Sequence, residues 1–409
     1  MSKLSTCRIC NSSVLLEVID LGIQPLSGVF PGPEDAPSTS GPLRLLRCDA
    51  CHLIQLGDTY SKDEMYGETY GYRSGLNKTM ISHLERVSKG LMRLLDLKNT
   101  DVVVDIGAND GTFLNFFAQK GIQSVGIDPT SSKYRQYFHS DITVVETFFS
   151  AEAYSSLAHK KAKLVTSIAM FYDLEDPIQL AKDVYSILDD DGFWFLEQSY
   201  APWMRQSGAY DTICHEHLEY YSLSDLKNIM DASGFDIVRV TTNNINGGSF
   251  GVLVKKSKNH NSFGTDPYIN WLHNEENRSN TLESWNTFAD LVKQRRHSLK
   301  SLVEEIILKG NRIAALGAST KGNVLLNYTG LTGDFIESIG EVNPYKYGRS
   351  TPGSNIPIRP EAQVIESNPD YLIFLPWHFR ESALERYESY LTKGGKLIFP
   401  LPNVEIIGY

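Results

Sequence analysis

Residues 102–112 constrain the fold more than any other part of the chain. Val102, Val103, Val104, Asp105 and Ile106 form a β-branched apolar run around one acid, and it ends in a turn holding Gly107 and Gly111. Phe113, Leu114, Phe116 and Phe117 then begin an amphipathic helical pattern. A buried strand running into a glycine turn and a helix is how a doubly wound α/β sheet presents a ligand site at the strand's carboxyl end. Glycine at 107 and 111 lets the backbone approach a ligand that a side chain would block. A second strand expected over 124–127 ends in Asp128, an acid suited to the two hydroxyls of a ribose. The turn lacks the Gly-Lys-Ser/Thr of a phosphate-binding P-loop and the full G-x-G-x-x-G of a dinucleotide fold. The plainer alternative is an ordinary tight turn in which Asp105 caps the helix.

Four of the five cysteines form two C-x-x-C pairs, Cys7/Cys10 and Cys48/Cys51. Each pair can sit on a tight knuckle that aims two thiolates at one point, and two knuckles make a tetrahedral zinc site. The interval between the pairs is longer than in an ordinary zinc ribbon and includes a Pro/Ser/Gly-rich loop over 30–42. Four thiolates leave no open coordination position, so the metal would be structural. His52 is surplus and expected to face solvent. The alternative is four reduced thiols without metal.

A chain of 409 residues should hold two or three domains. Its net charge of −10 argues against a nucleic-acid-binding surface. No apolar run approaches the roughly eighteen residues of a membrane span, and the first residues lack the apolar core of a signal peptide. A cytoplasmic location is expected, where thiols stay reduced.

Tyr60, Tyr66, Tyr70 and Tyr72 make residues 60–83 rich in tyrosine. Such a run commonly packs its rings and wets its hydroxyls, as a connector or strand edge does. A helix is expected over 76–97. Residues 101–254 then alternate: strands over 142–145, 164–168 and 192–197, a helix over 177–188, and a hairpin of 237–241 with 249–254. That order fits a mostly parallel sheet with an antiparallel end.

Residues 211–221 are densest in titratable groups, with Asp211, Cys214, His215, Glu216, His217 and Glu219. His215 and His217 could grip a metal from a strand, although no third ligand is evident nearby, and a polar loop capping the next helix is the bland reading. Acid–base chemistry fits better, because an imidazole beside a carboxylate can be held in one tautomer and tuned. A helix or helix pair is expected over 268–309. The opening design then recurs: a strand over 311–316, a small-residue turn over 317–323, and a helix. Ser319, Thr320 and Lys321 at that helix N-terminus suit a phosphate or pyrophosphate. Strands over 335–339, 371–375 and 396–399 complete a smaller α/β unit, which could also be a packing or dimerisation module.

The turn at 105–111 resembles the first motif of class I S-adenosylmethionine-dependent methyltransferases. The chain as a whole resembles the C-methyltransferases that act on nucleotide-linked 4-keto-deoxyhexoses, the C-3′-methyltransferases of branched deoxysugar biosynthesis. The two C-x-x-C pairs, Tyr70, Tyr72 and Ser74, Asp105 to Gly107, Glu216-His217, the turn around Lys321 and Asn323, Asn343-Pro344 and Pro376-Trp377-His378 carry the likeness. It implies a zinc-binding N-terminal domain over 1–75 and a class I, Rossmann-like methyltransferase domain over 76–256. A helical connector over 257–300 and a smaller Rossmann-like domain over 301–409 would follow.

The family's catalytic histidine matches His217 and its preceding acid Glu216. An N-terminal tyrosine, Tyr72 or failing that Tyr70, would reach the same site. Cofactor contacts are implied at Asp105, Gly107, Asn109, Gly111 and Asp128, with Tyr66 or Tyr72 closing the pocket. Nucleotide-sugar contacts are implied at Lys321, Asn323, Asn343, Lys346 and His378. S-adenosylmethionine and a structural zinc on Cys7, Cys10, Cys48 and Cys51 would be the cofactors. The partner would be a nucleotide-diphosphate sugar, with no nucleic acid or membrane, and the chain a monomer. Two departures concern the sugar site: Cys214 stands where relatives carry tyrosine, and Phe171-Tyr172-Asp173 where some carry histidine. Tyr172 or Tyr221 could substitute. The implied reaction is methylation of C3 through an enolate. O- or N-methylation of another small acceptor, or a non-catalytic zinc-dependent scaffold, are the other readings.

Overall fold

The computed structural model describes residues 1–36, 38–66, 71–157, 160–257 and 266–408. Tyr70 lies outside these residues.

The central sheet has seven strands, in the order Phe235–Asn243, Ser249–Lys256, Leu188–Ser199, Ala162–Ile168, Val102–Ile106, Gln123–Ile127, Ile142–Val145. The last five run parallel; Ser249–Lys256 is antiparallel to both of its neighbours, so Phe235–Asn243 runs in the same sense as the five. All five residues of Val102–Ile106 are buried. Successive side chains of a strand point to opposite faces, and this strand shows why its run, Asp105 apart, is apolar on both faces. Val102, Val104 and Ile106 pack with Leu180, Val184, Leu226 and Ile229 of two helices on one face. Val103 packs with Leu84, Phe113, Leu114 and Phe117 of two helices on the other. A strand covered on both sides has no polar face to alternate with.

The N-terminal sheet is built from Leu15–Pro25, Ser40–Cys48 and Ile54–Leu56, and its fourth strand, Glu219–Tyr220, comes from far along the chain. The C-terminal sheet orders Ile358–Pro360, Ile339–Glu341, Ile313–Leu316, Tyr371–Phe374, Lys396–Phe399 and Glu405–Ile407. It is parallel except for its last strand. The strand expected at 335–339 begins only at Ile339, because the amides of Phe335 and Ile336 both bond the Thr332 carbonyl in a turn. Strands 358–360 and 405–407 were not expected; at three residues each they are too short to show a period.

Helices Pro267–Ser279 and Leu282–Leu308 connect the two α/β units. Trp285, Phe288, Val292, Leu299, Val303 and Ile306 of the second lie on one stripe of helical spacing and join the C-terminal core. That core also takes in Leu43 and Leu45 of the N-terminal sheet and Ile213, Cys214 and Leu218 of the titratable segment. The segment holding His217 is therefore packed where the three parts meet. No helix among the described residues is long and apolar enough to cross a membrane.

Candidate active site

The turn after Val102–Ile106 is tied down by its own polar groups. Gly107 and Gly111 both take positive φ, 79° and 76°. A Cβ at Gly107 would come within 3.0 Å of Met170, and one at Gly111 within 2.5 Å of the Phe138 ring. Gly111 is thus required by packing against Phe138 as well as by its backbone. Asp105 does not cap the helix; it accepts from Thr166 Oγ1 at 2.6 Å, and burial pushes its carboxyl up to about 7. One oxygen of Asp128 accepts from the Asn109 amide at 2.9 Å, and the other from the amide and hydroxyl of Thr130 at 2.6 and 2.7 Å.

Asn109, with φ of 50°, links this turn to the tyrosine-rich segment. Its side-chain oxygen accepts from the Ser74 amide at 3.0 Å, and its Nδ2 donates to the Tyr72 carbonyl at 3.2 Å. Asp110 holds the same segment through Arg73 at 3.0 Å and the Gly75 amide at 2.9 Å. Residues 72–75 consequently lie against the 107–111 turn. Tyr72 is 46% exposed, and its carbonyl accepts from Asn109 Nδ2 and from the Tyr134 hydroxyl, which ties it to this turn rather than to His217.

His217 sits in a turn closed by its own amide on the Cys214 carbonyl at 3.1 Å. Its Nδ1 lies 3.0 Å from the Thr212 carbonyl, and its ring packs on Tyr172 at 4.2 Å between centroids. Burial, and then the charge of Lys321, push the imidazole down to about 3. Glu216 does not orient this ring. It points the other way, accepting from Ser27 Oγ at 3.2 Å, while its Oε1 has no hydrogen-bond partner. The turn sends neighbouring side chains apart, and Thr212 takes the orienting role instead. His215 diverges as well, burying its ring edge-on against Tyr60 at 4.6 Å, so the two imidazoles do not converge on one point. The departures from the family pattern are filled differently: Cys214 is buried in the shared core, and Tyr172 covers His217.

The turn at 169–173 connects the two centres. Met170 lies against Gly107, and Tyr172, two residues on, meets the His217 ring while its carbonyl accepts from the Leu218 amide at 2.8 Å. The 107–111 turn and the imidazole are thus linked through a single short turn.

The C-terminal unit meets this site through Lys321, whose charge is felt by His217, His378 and Asp211. Lys321 Nζ donates to the Asn246 carbonyl at 2.7 Å, and Asp211 accepts from Trp377 Nε1 at 2.7 Å. His378 has an unpartnered Nδ1. Asn323 donates to the Ser27 carbonyl at 2.7 Å and leaves its buried oxygen unpartnered. Asn343 and Lys346 hold the protein itself: Asn343 donates to the Gly71 carbonyl at 3.1 Å. Lys346 donates to the Ala318 carbonyl at 2.8 Å and lies over the Phe30 ring at 4.4 Å. Ser27, Gly28, Phe30 and Thr212 carried no sequence signal of a role; the first three act through contacts with residues distant in the chain, and Thr212 through His217 five residues on.

The four cysteine sulfurs lie within 4.8 Å of one another, with Cys7–Cys51 and Cys10–Cys48 each at 3.5 Å. Zinc–thiolate bonds of about 2.3 Å in a tetrahedron put sulfurs roughly 3.8 Å apart, so the set fits zinc. The two knuckles are alike: Asn11 and His52, each following a second cysteine, take φ of 59° and 69° and donate their amides to the Cys7 and Cys48 carbonyls. The long interval between them is spent on a hairpin and on the loop that brings Ser27, Gly28 and Phe30 to the other domains.

Three family models tile the chain: a zinc binding domain over 7–66, a methyltransferase domain over 79–240, and a C-methyltransferase C-terminal domain over 244–402. These and the cluster of four cysteines define a methyltransferase of the class I fold that uses S-adenosylmethionine and carries a structural zinc domain. The chain is 29% identical over 407 residues to the C-methyltransferase NovU of Streptomyces niveus, covering 98% of this chain and 96% of that one. The chain is thus an S-adenosylmethionine-dependent methyltransferase that is similar to that C-methyltransferase over nearly its whole length. Among solved structures it is similar to magnesium protoporphyrin IX methyltransferase of Synechocystis (16% identity, 44% of this chain, 88% of that one, TM-score 0.34). It is also similar to the CcbJ methyltransferase of Streptomyces caelestis (11%, 42%, 89%, 0.33).

Proposed function

We propose that the enzyme methylates C3 of a nucleotide-linked 4-keto-6-deoxyhexose, with His217 as the base. The observation that carries this reading is the turn holding Met170 against the cofactor turn and Tyr172 against His217. It keeps a proton acceptor one short step from the methyl donor's site. A carbon beside a ketone becomes nucleophilic when its proton is removed and the charge spreads onto the keto oxygen. His217 Nε2 takes that proton, and Lys321 supplies positive charge towards the enolate oxygen. Bound S-adenosylmethionine supplies the sulfonium methyl for the new carbon–carbon bond. Glu216 and Asn323, each with an unpartnered buried oxygen, are suited to accept from sugar hydroxyls. Asp105, Gly107, Asn109, Gly111 and Asp128 hold the cofactor, with Tyr72 over it. Lys321 and His378 hold the nucleotide sugar, while Asn343 and Lys346 brace the segment between them. The reaction would run in the cytoplasm on a monomer.

The test is solvent exchange. With S-adenosylhomocysteine bound so that methyl transfer is blocked, a nucleotide-linked 4-keto-6-deoxyhexose in D2O should take up deuterium at C3. O- or N-methylation needs no acidic carbon, so the absence of enzyme-dependent exchange on every candidate sugar sinks the enolate reading.

A further inference from the structure

The zinc knuckle touches the His217 segment directly. Arg8 stands between Cys7 and Cys10, and its side chain is 3% exposed. Its Nη1 donates to the carbonyls of Leu56 at 2.9 Å and Leu218 at 3.4 Å, and its Nη2 to Thr59 Oγ1 at 2.9 Å. Its Nε lies 3.7 Å from the carboxylate of Glu219, whose side chain is fully buried. Leu218 is the residue after His217, and its carbonyl also accepts from the Leu56 amide at 2.9 Å. Glu219 and Tyr220 then pair with Gln55 and Ile54 of the N-terminal sheet, and Gln55 accepts from the Arg8 amide at 3.2 Å. One four-residue loop thus presents two metal ligands on one side and a buried guanidinium fork on the other. Within this loop only Cys7 and Ile9 pack into the core, and four thiolate bonds to a metal would add to what holds so short a loop folded.

We infer that Arg8 is a positioning residue for His217: the zinc knuckle fixes its guanidinium, and the guanidinium fixes the strand that follows the imidazole. The metal, which has no open position for substrate, thereby contributes to catalysis through the backbone at 218–219. This rests on the reading of His217 as the base, but the coupling is measurable without any turnover.

The experiment compares zinc-loaded wild-type protein with Arg8→Gln, Glu219→Gln and the double variant. Amide hydrogen exchange over 212–221, zinc content and calorimetry with S-adenosylhomocysteine are read for each. Each single variant should speed exchange over 212–221 by about tenfold or more, retain zinc, and keep cofactor affinity within about twofold; the double variant should add little, as contacting residues in one network do. With an active sugar, kcat falls while the KM for S-adenosylmethionine holds, and Arg8→Lys recovers only part because an ammonium cannot bond two carbonyls and a hydroxyl at once. Unchanged exchange over 212–221, or fully additive effects, overturns the inference. If Arg8→Gln does not fold, stripping zinc from the wild type decides: exchange must rise over 212–221 before it rises over 105–112. Simultaneous loss of both overturns it. Failure of the base reading would appear separately, as a His217 variant that still turns over.

Discussion

Nδ1 of His217 lies 3.0 Å from the carbonyl oxygen of Thr212. A carbonyl only accepts, so Nδ1 carries the proton and Nε2 is left with its lone pair, making no hydrogen bond among the described residues. Burial and the nearby Lys321 hold the ring neutral at physiological pH, which is the form a base requires.

Replacing His217 by Asn removes the acceptor while keeping a polar side chain of similar reach. Turnover should fall by roughly 10²–10⁴-fold, the usual consequence of losing a general base. S-adenosylhomocysteine affinity should be unchanged in calorimetry. Near-full turnover on the correct sugar would remove His217 from the chemistry.

Asp128 fixes the Asn109 amide and the amide and hydroxyl of Thr130, and in the proposed site it also meets the ribose. Asp128→Ala abolishes these bonds and removes any acceptor for a ribose. A hydrogen bond to a charged group contributes about 1.5–3 kcal/mol, so S-adenosylhomocysteine should bind at least about tenfold more weakly. Equal affinity in calorimetry would place the ribose elsewhere.

Gly28 leaves room for Glu216. An added Cβ would fall 2.3 Å from Glu216 Oε1, so Gly28→Ala should turn the carboxylate aside with little backbone strain. The expected result is a loss of about tenfold in kcat/KM for the sugar acceptor, with cofactor affinity and thermal midpoint nearly unchanged. Unaltered kinetics would mean that the orientation of Glu216 is immaterial.

Asp105 supplies a pH signature. Its carboxyl titrates near 7 in the folded chain against an ordinary 3.8, burial being the main cause. The folded state therefore keeps a proton that the unfolded state has released. That contribution is fully present below 3.8 and is lost as pH rises towards 7, by up to about 1.4 kcal/mol per unit. In urea unfolding between pH 4.5 and 8, the stability of wild type relative to Asp105→Asn should fall with rising pH and level off above 7. A flat difference would show an ordinary carboxyl.

The strand at 102–106, both glycine turns, the cysteine knuckles and the helix pair within 268–309 were legible in the sequence. Each is a local pattern in which burial or backbone conformation selects residue type over a few positions. The pairing of Glu216 with His217 was legible only as adjacency, and adjacency misled: the structure gives Thr212 to His217 and Ser27, 189 residues away, to Glu216. The reach of Asn323 to Ser27 across 296 residues, the insertion of 219–220 into the N-terminal sheet, and the grip of Arg8 on Leu218 left no trace in any window. Side-chain period and turn chemistry act along the chain and can be read there. Which surfaces meet is decided by how three cores pack together, and that exists only once the chain has folded.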